Sequence, residues 1–267
     1  MMPMVALDDG TRVHCLVKSE AIVLDNHVEG YFEYGVHIND GDVVFDVGAN
    51  IGIFAVRAVQ KHPSVRVFAF EPVPEIYATL RKNSELHGDG RLVALPCGAS
   101  KAPGTFKMTY YPKSPALSTG HPEFWDENPQ VLATAVEGAI DHAPKRLWYA
   151  RFVPKFLSAW IARHLRSGAR TVECALRTVS SVIEEYELES VDLLKVDCEG
   201  AELDVLMGIE AQHWPRVDKV VAEVHDMDGR LDRVIGLLKE QGLTEITVAK
   251  EAGFEETPFS NVYASRQ

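Results

Sequence analysis

From about residue 43 the chain alternates short apolar runs with helix-patterned stretches, and this alternation constrains the fold more than any other feature. DVVFDV reads as a strand between the turn signals NDG and GAN. NIGIFAVRAVQKH follows with helical spacing through Ile53, Phe54, Val56 and Val59. VRVFAF is a second strand. PEIYATLRKNSELHG is a helix: Pro74 suits its first turn, Ile76, Tyr77, Leu80 and Asn83 form its stripe, and Gly88 stops it. LVALPC is a third strand. The pattern resumes with VDLLKVD, AELDVLMGIE, VDKVVAEVH, LDRVIGLLKEQG and LTEITVA, and FSNVYASR alternates as a closing strand. Repeated units of this kind imply a mostly parallel sheet with helices on both faces. The expected class is α/β, doubly wound. With 267 residues, 46% of them hydrophobic, the chain can fill one such domain, read as 1–267.

The alternation breaks between about residues 104 and 170. TFKMTYY alternates like an exposed strand, and STGHPEFWDENPQ is turn-rich. The stretch 144–170 carries seven Lys or Arg and no acid. Within it Pro154 opens a helix whose apolar stripe is expected to run through Phe156, Leu157, Trp160, Ile161 and Leu165, with Gly168 as its stop. Residues 104–170 are expected to be an insertion, with too few elements to enclose a core of their own. A lid over the substrate is the preferred role, because insertions on a rigid scaffold commonly carry specificity. Plain packing on the sheet edge is the main alternative, and an amphipathic surface on a membrane a lesser one. Residues 1–42 are assigned to a capping segment on the substrate side.

The formal net charge of −12 argues against general nucleic-acid binding, which needs clustered cations. No stretch has the length and apolarity of a membrane span, so stable insertion is not expected. The N-terminus, MMPMVALDDG, lacks a basic segment followed by an apolar run, so no signal peptide is expected. Cys15, Cys97, Cys174 and Cys198 form no C-x-x-C pair, and reduced thiols of a cytoplasmic protein are the expectation.

In VVFDVGANIGIF a strand runs into Gly48, and Gly52 opens a helix, with Ala49 and Asn50 between. Small residues let the backbone approach a ligand, and the helix start offers free amides. The tight glycine pair of the dinucleotide fingerprint is missing, which weakens a nucleotide oxidoreductase reading. Glu71 ends the second strand, 19 residues beyond Gly52. A ribose-binding acid is expected about 20 residues on; an ordinary solvated strand-end acid is the alternative. Pro72 and Pro74 fix the direction of the chain after Glu71.

DVGANIG (46–52), FEP (70–72) and KVDCEGAE (195–202) together resemble the FkbM family of S-adenosylmethionine-dependent methyltransferases, and VVAEVHDMDG (220–229) looks most like its macrolide-tailoring members. The resemblance spans most of residues 5–265. It implies a seven-stranded sheet. It implies that Asp46, Gly48, Ala49, Asn50 and Gly52 face the amino-acid part of S-adenosylmethionine, that Glu71 with Pro72 takes the ribose, and that Gly98 and Ala99 flank the adenine. Cys198 stands where an aliphatic residue is common, and Gly98 where alanine is.

Methylating an alcohol requires alignment of oxygen, carbon and sulfur, and removal of a proton from a weak acid. Side chains two apart in a strand share a face. Lys195, Asp197 and Glu199 therefore point one way if their strand stays extended, with Cys198 opposite; Glu223 and His225 share a face of the next strand. His225 has the pKa range suited to a base, with Glu223 or Glu199 as partner, and Asp197 serving the cofactor's ammonium or the acceptor. The alternative is a His225 with no role beside a helix cap. Lys195 is expected to pair with Asp197 or Glu199. That cation weighs against a rival Mg²⁺ or Mn²⁺ site built from Asp197, Glu199, Glu223 and His225, so no metal is expected. Asp226 and Asp228 read as caps, Ser181 with Glu184 as a capping box, and Cys198 as a disfavoured thiolate. The expected activity is O-methylation of a small secondary metabolite, polyketide-like, or a sugar, free or carrier-bound. N-methylation of an amine and a non-catalytic binding protein on the same scaffold are the alternatives.

Overall fold

The computed structural model describes residues 2–251 and 253–266. A small antiparallel ribbon, β1 (Met4–Ala6) with β2 (Arg12–His14), leads into α1 (Lys18–His27) and a 3₁₀ turn at Val28–Phe32. The first half of the main sheet follows: β3 (Val43–Val47), α2 (Ile53–Lys61), β4 (Arg66–Phe70), α3 (Pro74–His87) and β5 (Leu92–Leu95). A short strand β6 (Gly98–Ala99) and the longer β7 (Gly104–Tyr110) then lead to the helices α4 (Pro122–Glu127), α5 (Pro129–Asp141) and α6 (Ser158–Leu165). The chain returns along β8 (Arg170–Arg177) and completes the sheet with α7 (Val179–Glu185), β9 (Leu193–Val196), α8 (Glu202–Met207), β10 (Lys219–His225), α9 (Arg230–Glu240), β11 (Glu245–Ala249) and β12 (Phe259–Ser265).

Among the described residues the main sheet has seven strands in the order β11-β12-β10-β9-β3-β4-β5. β12 runs antiparallel to both of its neighbours, and the pairings from β10 to β5 are parallel. Strand order reverses between β3 and β9, the place where open α/β sheets bind ligands.

Each inner strand sends alternate residues to two separate cores. Val44, Leu193, Val221 and Tyr263 join the core under α1, α2 and α3. Phe45, Val47, Leu194, Val196, Val220, Ala222 and Val224 join the one under α7, α8 and α9. The period of two therefore puts Asp46, Lys195, Glu223 and His225 on the α1–α2 side. Asp46 sits directly beside Lys195 in the β3–β9 register.

Three expectations need correction. The stretch read as turn-rich contains helix α4, with Pro122 in its first turn and Phe124 and Trp125 buried. The expected stripe of α6 is only partly turned inward: Ile161 and Leu165 pack against the core of the insertion, but Phe156 lies in a 3₁₀ turn before the helix and is 82% exposed, and Trp160 is 62% exposed. The face turned inward carries Ser158 and Ala162, small enough to let α6 lie against α5. The insertion gathers a small apolar cluster of Tyr111, Phe124, Trp125, Leu132, Val136, Ile140 and Ala162, which Phe259 of the main sheet closes. Its stem is the antiparallel pair β7–β8. Finally, the cap of α7 is Thr178, whose Oγ1 accepts from the Ser181 N–H at 3.0 Å. Ser181 is the third residue of the helix, and Glu184 lies 3.9 Å from His213. No helix among the described residues is long and apolar enough to cross a membrane.

Candidate active site

A cavity of about 630 Å³ opens at the carboxyl ends of β3, β4, β9 and β10. Gly48, Ala49, Asn50, Glu71, Pro72, Gly98 and Ala99 line one end of it. Gly48 has φ +76°, and a Cβ there would stand 1.7 Å from the Asp197 carbonyl oxygen. The turn after β3 and the turn after β9 thus touch backbone to backbone. Glu71 is nearly buried, its carboxylate accepting from Val73 N–H at 2.8 Å and Asn50 N–H at 3.1 Å. Burial pushes its pKa up to about 8, against the pull of those two amides. Each oxygen keeps a second lone pair for a ligand hydroxyl.

Asp46 and Gly52 do not line the cavity. Asp46 is fully buried beneath its wall and holds Lys195 Nζ at 3.0 Å. Gly52, at φ +85°, starts α2, and a Cβ on it would meet Leu80 Cδ1 at 2.5 Å, so it serves helix packing. Lys195 also lies 3.6 Å from Asp197, and 5.0 Å from the centroid of the Tyr31 ring. Burial alone would discharge this ammonium; Asp46 and Asp197 overcome that and keep it charged. The expected partner Asp197 is therefore present, but the closer one is Asp46, supplied by the neighbouring strand. Among the described residues Glu199 makes no ion pair with Lys195.

The strand carrying Lys195 ends at Val196, so alternation does not extend to Glu199. Glu199 has φ +51°, and this left-handed turn swings it toward β10. Its Oε2 lies 3.8 Å from His225 Nε2, and Glu223 Oε1 lies 3.7 Å from the same nitrogen. Cys198 also reaches the cavity, with its thiol pushed well up, first by burial and then by Glu202 and Asp197. For His225 burial works downward, but Glu223, Glu199 and Glu202 together push its pKa up to about 9. Its side chain is 3% exposed, with the Phe259 ring 4.3 Å away. Glu199 is raised to about 8, first by burial, partly offset by His225. Asp226 accepts from the Leu231 N–H at 3.1 Å, as a residue ahead of α9 should.

Several cavity residues have no counterpart among the sequence candidates. Glu20, Leu24, His27 and Tyr31 all line the cavity from α1 and the 3₁₀ turn after it. Tyr31 Oη donates to Asp197 Oδ2 at 2.9 Å. His27 Nδ1 lies 3.5 Å from Glu251 Oε1, on the segment after β11. Glu20, raised to about 7 by burial, accepts from Ser114 Oγ and the Ala116 N–H and so ties α1 to the base of the insertion. The spacing of three and four was readable, but its mixed chemistry gave no core stripe. Trp125, Leu132 and Val136 of the insertion, with Phe254 and Phe259, give the far end an apolar wall. Among the described residues the side chains gathered at metal-ligand spacing are Glu184, Glu210 and His213, none of which lines this cavity.

Residues 46–243 match the family model described as the methyltransferase FkbM domain. The chain is 36% identical over 236 residues to the 31-O-demethyl-FK506 methyltransferase FkbM of Streptomyces tacrolimicus, covering 88% of this chain and 85% of that protein. It is 35% identical to methyltransferase sdnD of Sordaria araneosa, over 84% of this chain and 81% of that one. It is 28% identical to the 2-O-methyltransferase NoeI of Sinorhizobium fredii, over 62% and 56%. With its cavity at the carboxyl edge of a seven-stranded sheet and a family match over most of its length, the chain belongs to the FkbM family and is a methyltransferase.

Proposed function

We propose that the protein transfers a methyl group from S-adenosylmethionine to a hydroxyl of a small, largely apolar acceptor such as a polyketide-like secondary metabolite. The observation that carries this reading is the single cavity joining the Gly48–Glu71–Gly98 edge to the edge of Glu199, Glu223 and His225. The donor fits the first edge: Gly48 leaves its backbone bare, and the lone pairs of Glu71 suit two ribose hydroxyls. Gly98 and Ala99 leave room for a flat base, and Asp197 offers a carboxylate to the donor's ammonium. When bound, the donor supplies an electrophilic methyl on a sulfonium.

The remaining work falls to the chain. The apolar wall of Trp125, Leu132, Val136, Phe254 and Phe259 holds the body of the acceptor and excludes water. Glu199 and Glu223 accept from the acceptor hydroxyl and turn its oxygen toward the methyl carbon. His225, held between them and charged up to about pH 9, balances their charge. The names of two relatives, a 31-O-demethyl-FK506 methyltransferase and a 2-O-methyltransferase, support oxygen as the accepting atom. The test is a panel of alcohols, sugars and amines incubated with donor and enzyme, with products read by mass spectrometry. Methylation at hydroxyl oxygen is the expected result. Transfer to amines alone overturns the assignment.

A further inference from the structure

We infer that His27 takes the proton from the acceptor hydroxyl, with Glu251 orienting its ring. This rests on the proposed hydroxyl methylation. His27 ends α1 on the face that also carries Glu20 and Leu24, with Tyr31 following in the 3₁₀ turn, and it looks into the same cavity as Glu223. A base must touch the hydroxyl it deprotonates. The His27 side chain is 30% exposed, whereas His225, though it too borders the cavity, is 3% exposed and packed against Glu199, Glu223, Phe124 and Phe259. Glu251 lies on the Nδ1 side at 3.5 Å, and the Phe254 ring stands edge-on to the imidazole. Among the described residues no hydrogen bond engages His27 Nε2, so that nitrogen is available to an acceptor.

The charged groups facing His27 are Glu251 after β11, Glu223 on β10 and Asp197 after β9. Burial lowers the imidazole below its ordinary value, and Glu223 and Asp197 only partly offset that. His27 is therefore neutral at neutral pH, where His225 still holds its proton. Glu251 is raised to about 8, first by burial and then by Glu223, Asp197 and Glu33. Once Glu251 is ionised it accepts from Nδ1–H, which fixes the tautomer that leaves Nε2 basic. In the step itself the acceptor oxygen attacks the methyl carbon of the sulfonium donor. The O–C bond forms as the C–S bond breaks, and sulfur keeps the electron pair. The hydroxyl proton passes to His27 Nε2, Glu251 stabilises the imidazolium, and the proton then leaves through the open side of the ring.

The test combines pH profiles with histidine NMR on the protein without donor. In wild type, kcat/KM rises with pH to a plateau above about 8, and the His27 ring titrates below the ordinary imidazole value. His27→Gln loses about 100-fold in kcat/KM, a typical contribution of a general base, and loses the rising limb. Its thermal midpoint and its affinity for S-adenosylhomocysteine stay at wild-type values, which a structural role would not allow. Glu251→Gln, a second route should His27→Gln misfold, moves the rising limb to lower pH. His225→Gln keeps that limb. A His27→Gln enzyme that retains the limb and loses less than about 5-fold overturns the inference, as does a His27 ring already charged at neutral pH. A wild type that methylates no hydroxyl removes the parent reading, and this one with it.

Discussion

Gly48 has no room for a side chain. Its φ of +76° already disfavours any other residue, and the Asp197 carbonyl that a Cβ would meet is backbone and cannot swing aside. Gly48→Ala is expected to cost about 3 kcal/mol or more. Gly52→Ala at φ +85° meets only the tip of Leu80, which can turn, so it should cost about 1–2 kcal/mol. Urea midpoints of the two variants check the order; equal losses would contradict the close approach of the two turns. At this scale the sequence was readable where chemistry is local. The glycine turn and Glu71 lie within one βα unit, and both reach the cavity. Asp46 entered with the family resemblance of its motif, which does not carry the neighbouring strand whose Lys195 holds it beneath the cavity wall. His27, Tyr31 and Glu251 come to the site from a helix before the sheet and a segment near its end. Nothing in the spacing of either predicts their meeting.

Among the elements, the sheet strands and their helices follow directly from periodicity, because each strand feeds one residue in two to each core. The insertion was harder to read. Prolines 122 and 129 look like loop signals, yet each stands at the first turn of a helix, where a missing N–H costs nothing. Phe156 and Trp160 look like part of a core stripe, yet both are exposed, as are Trp148 and Phe152 before them. The insertion instead closes on Trp125, 2% exposed, against Phe259. Trp125→Ala is therefore expected to cost about 3–5 kcal/mol. Phe156→Ser and Trp160→Ser should each stay within about 0.5 kcal/mol of wild type. Chemical denaturation of the three variants decides between this packing and a buried aromatic stripe.

Over the whole molecule, the cavity concentrates groups that hold protons more tightly than an unfolded chain would. Glu71, Glu199 and Glu251 are each raised to about 8, and Glu20 to about 7, chiefly by burial. His225 is raised to about 9 by its carboxylate neighbours against the effect of burial. From the ordinary carboxyl range upward, the folded state therefore binds more protons than the unfolded state, so stability falls as pH rises. The His225 contribution is complete below its ordinary value of 6.5 and is lost as pH passes through about 9. His14 and His27, both lowered by burial, oppose this only at the acid end of the window. Without donor, the thermal midpoint is expected to be higher near about pH 6 than near about pH 9; a midpoint that rises over that span would contradict the assigned shifts. A ligand that engages Glu71 and fills the cavity should restore stability by mass action. The most direct test of the central claim is calorimetric titration of the folded protein with S-adenosylhomocysteine. The expected result is saturable binding at one site, weakened about 10- to 100-fold in Glu71→Ala through loss of the hydrogen bonds its carboxyl group makes. Absence of binding to folded wild-type protein, or equal affinity in the variant, would contradict it.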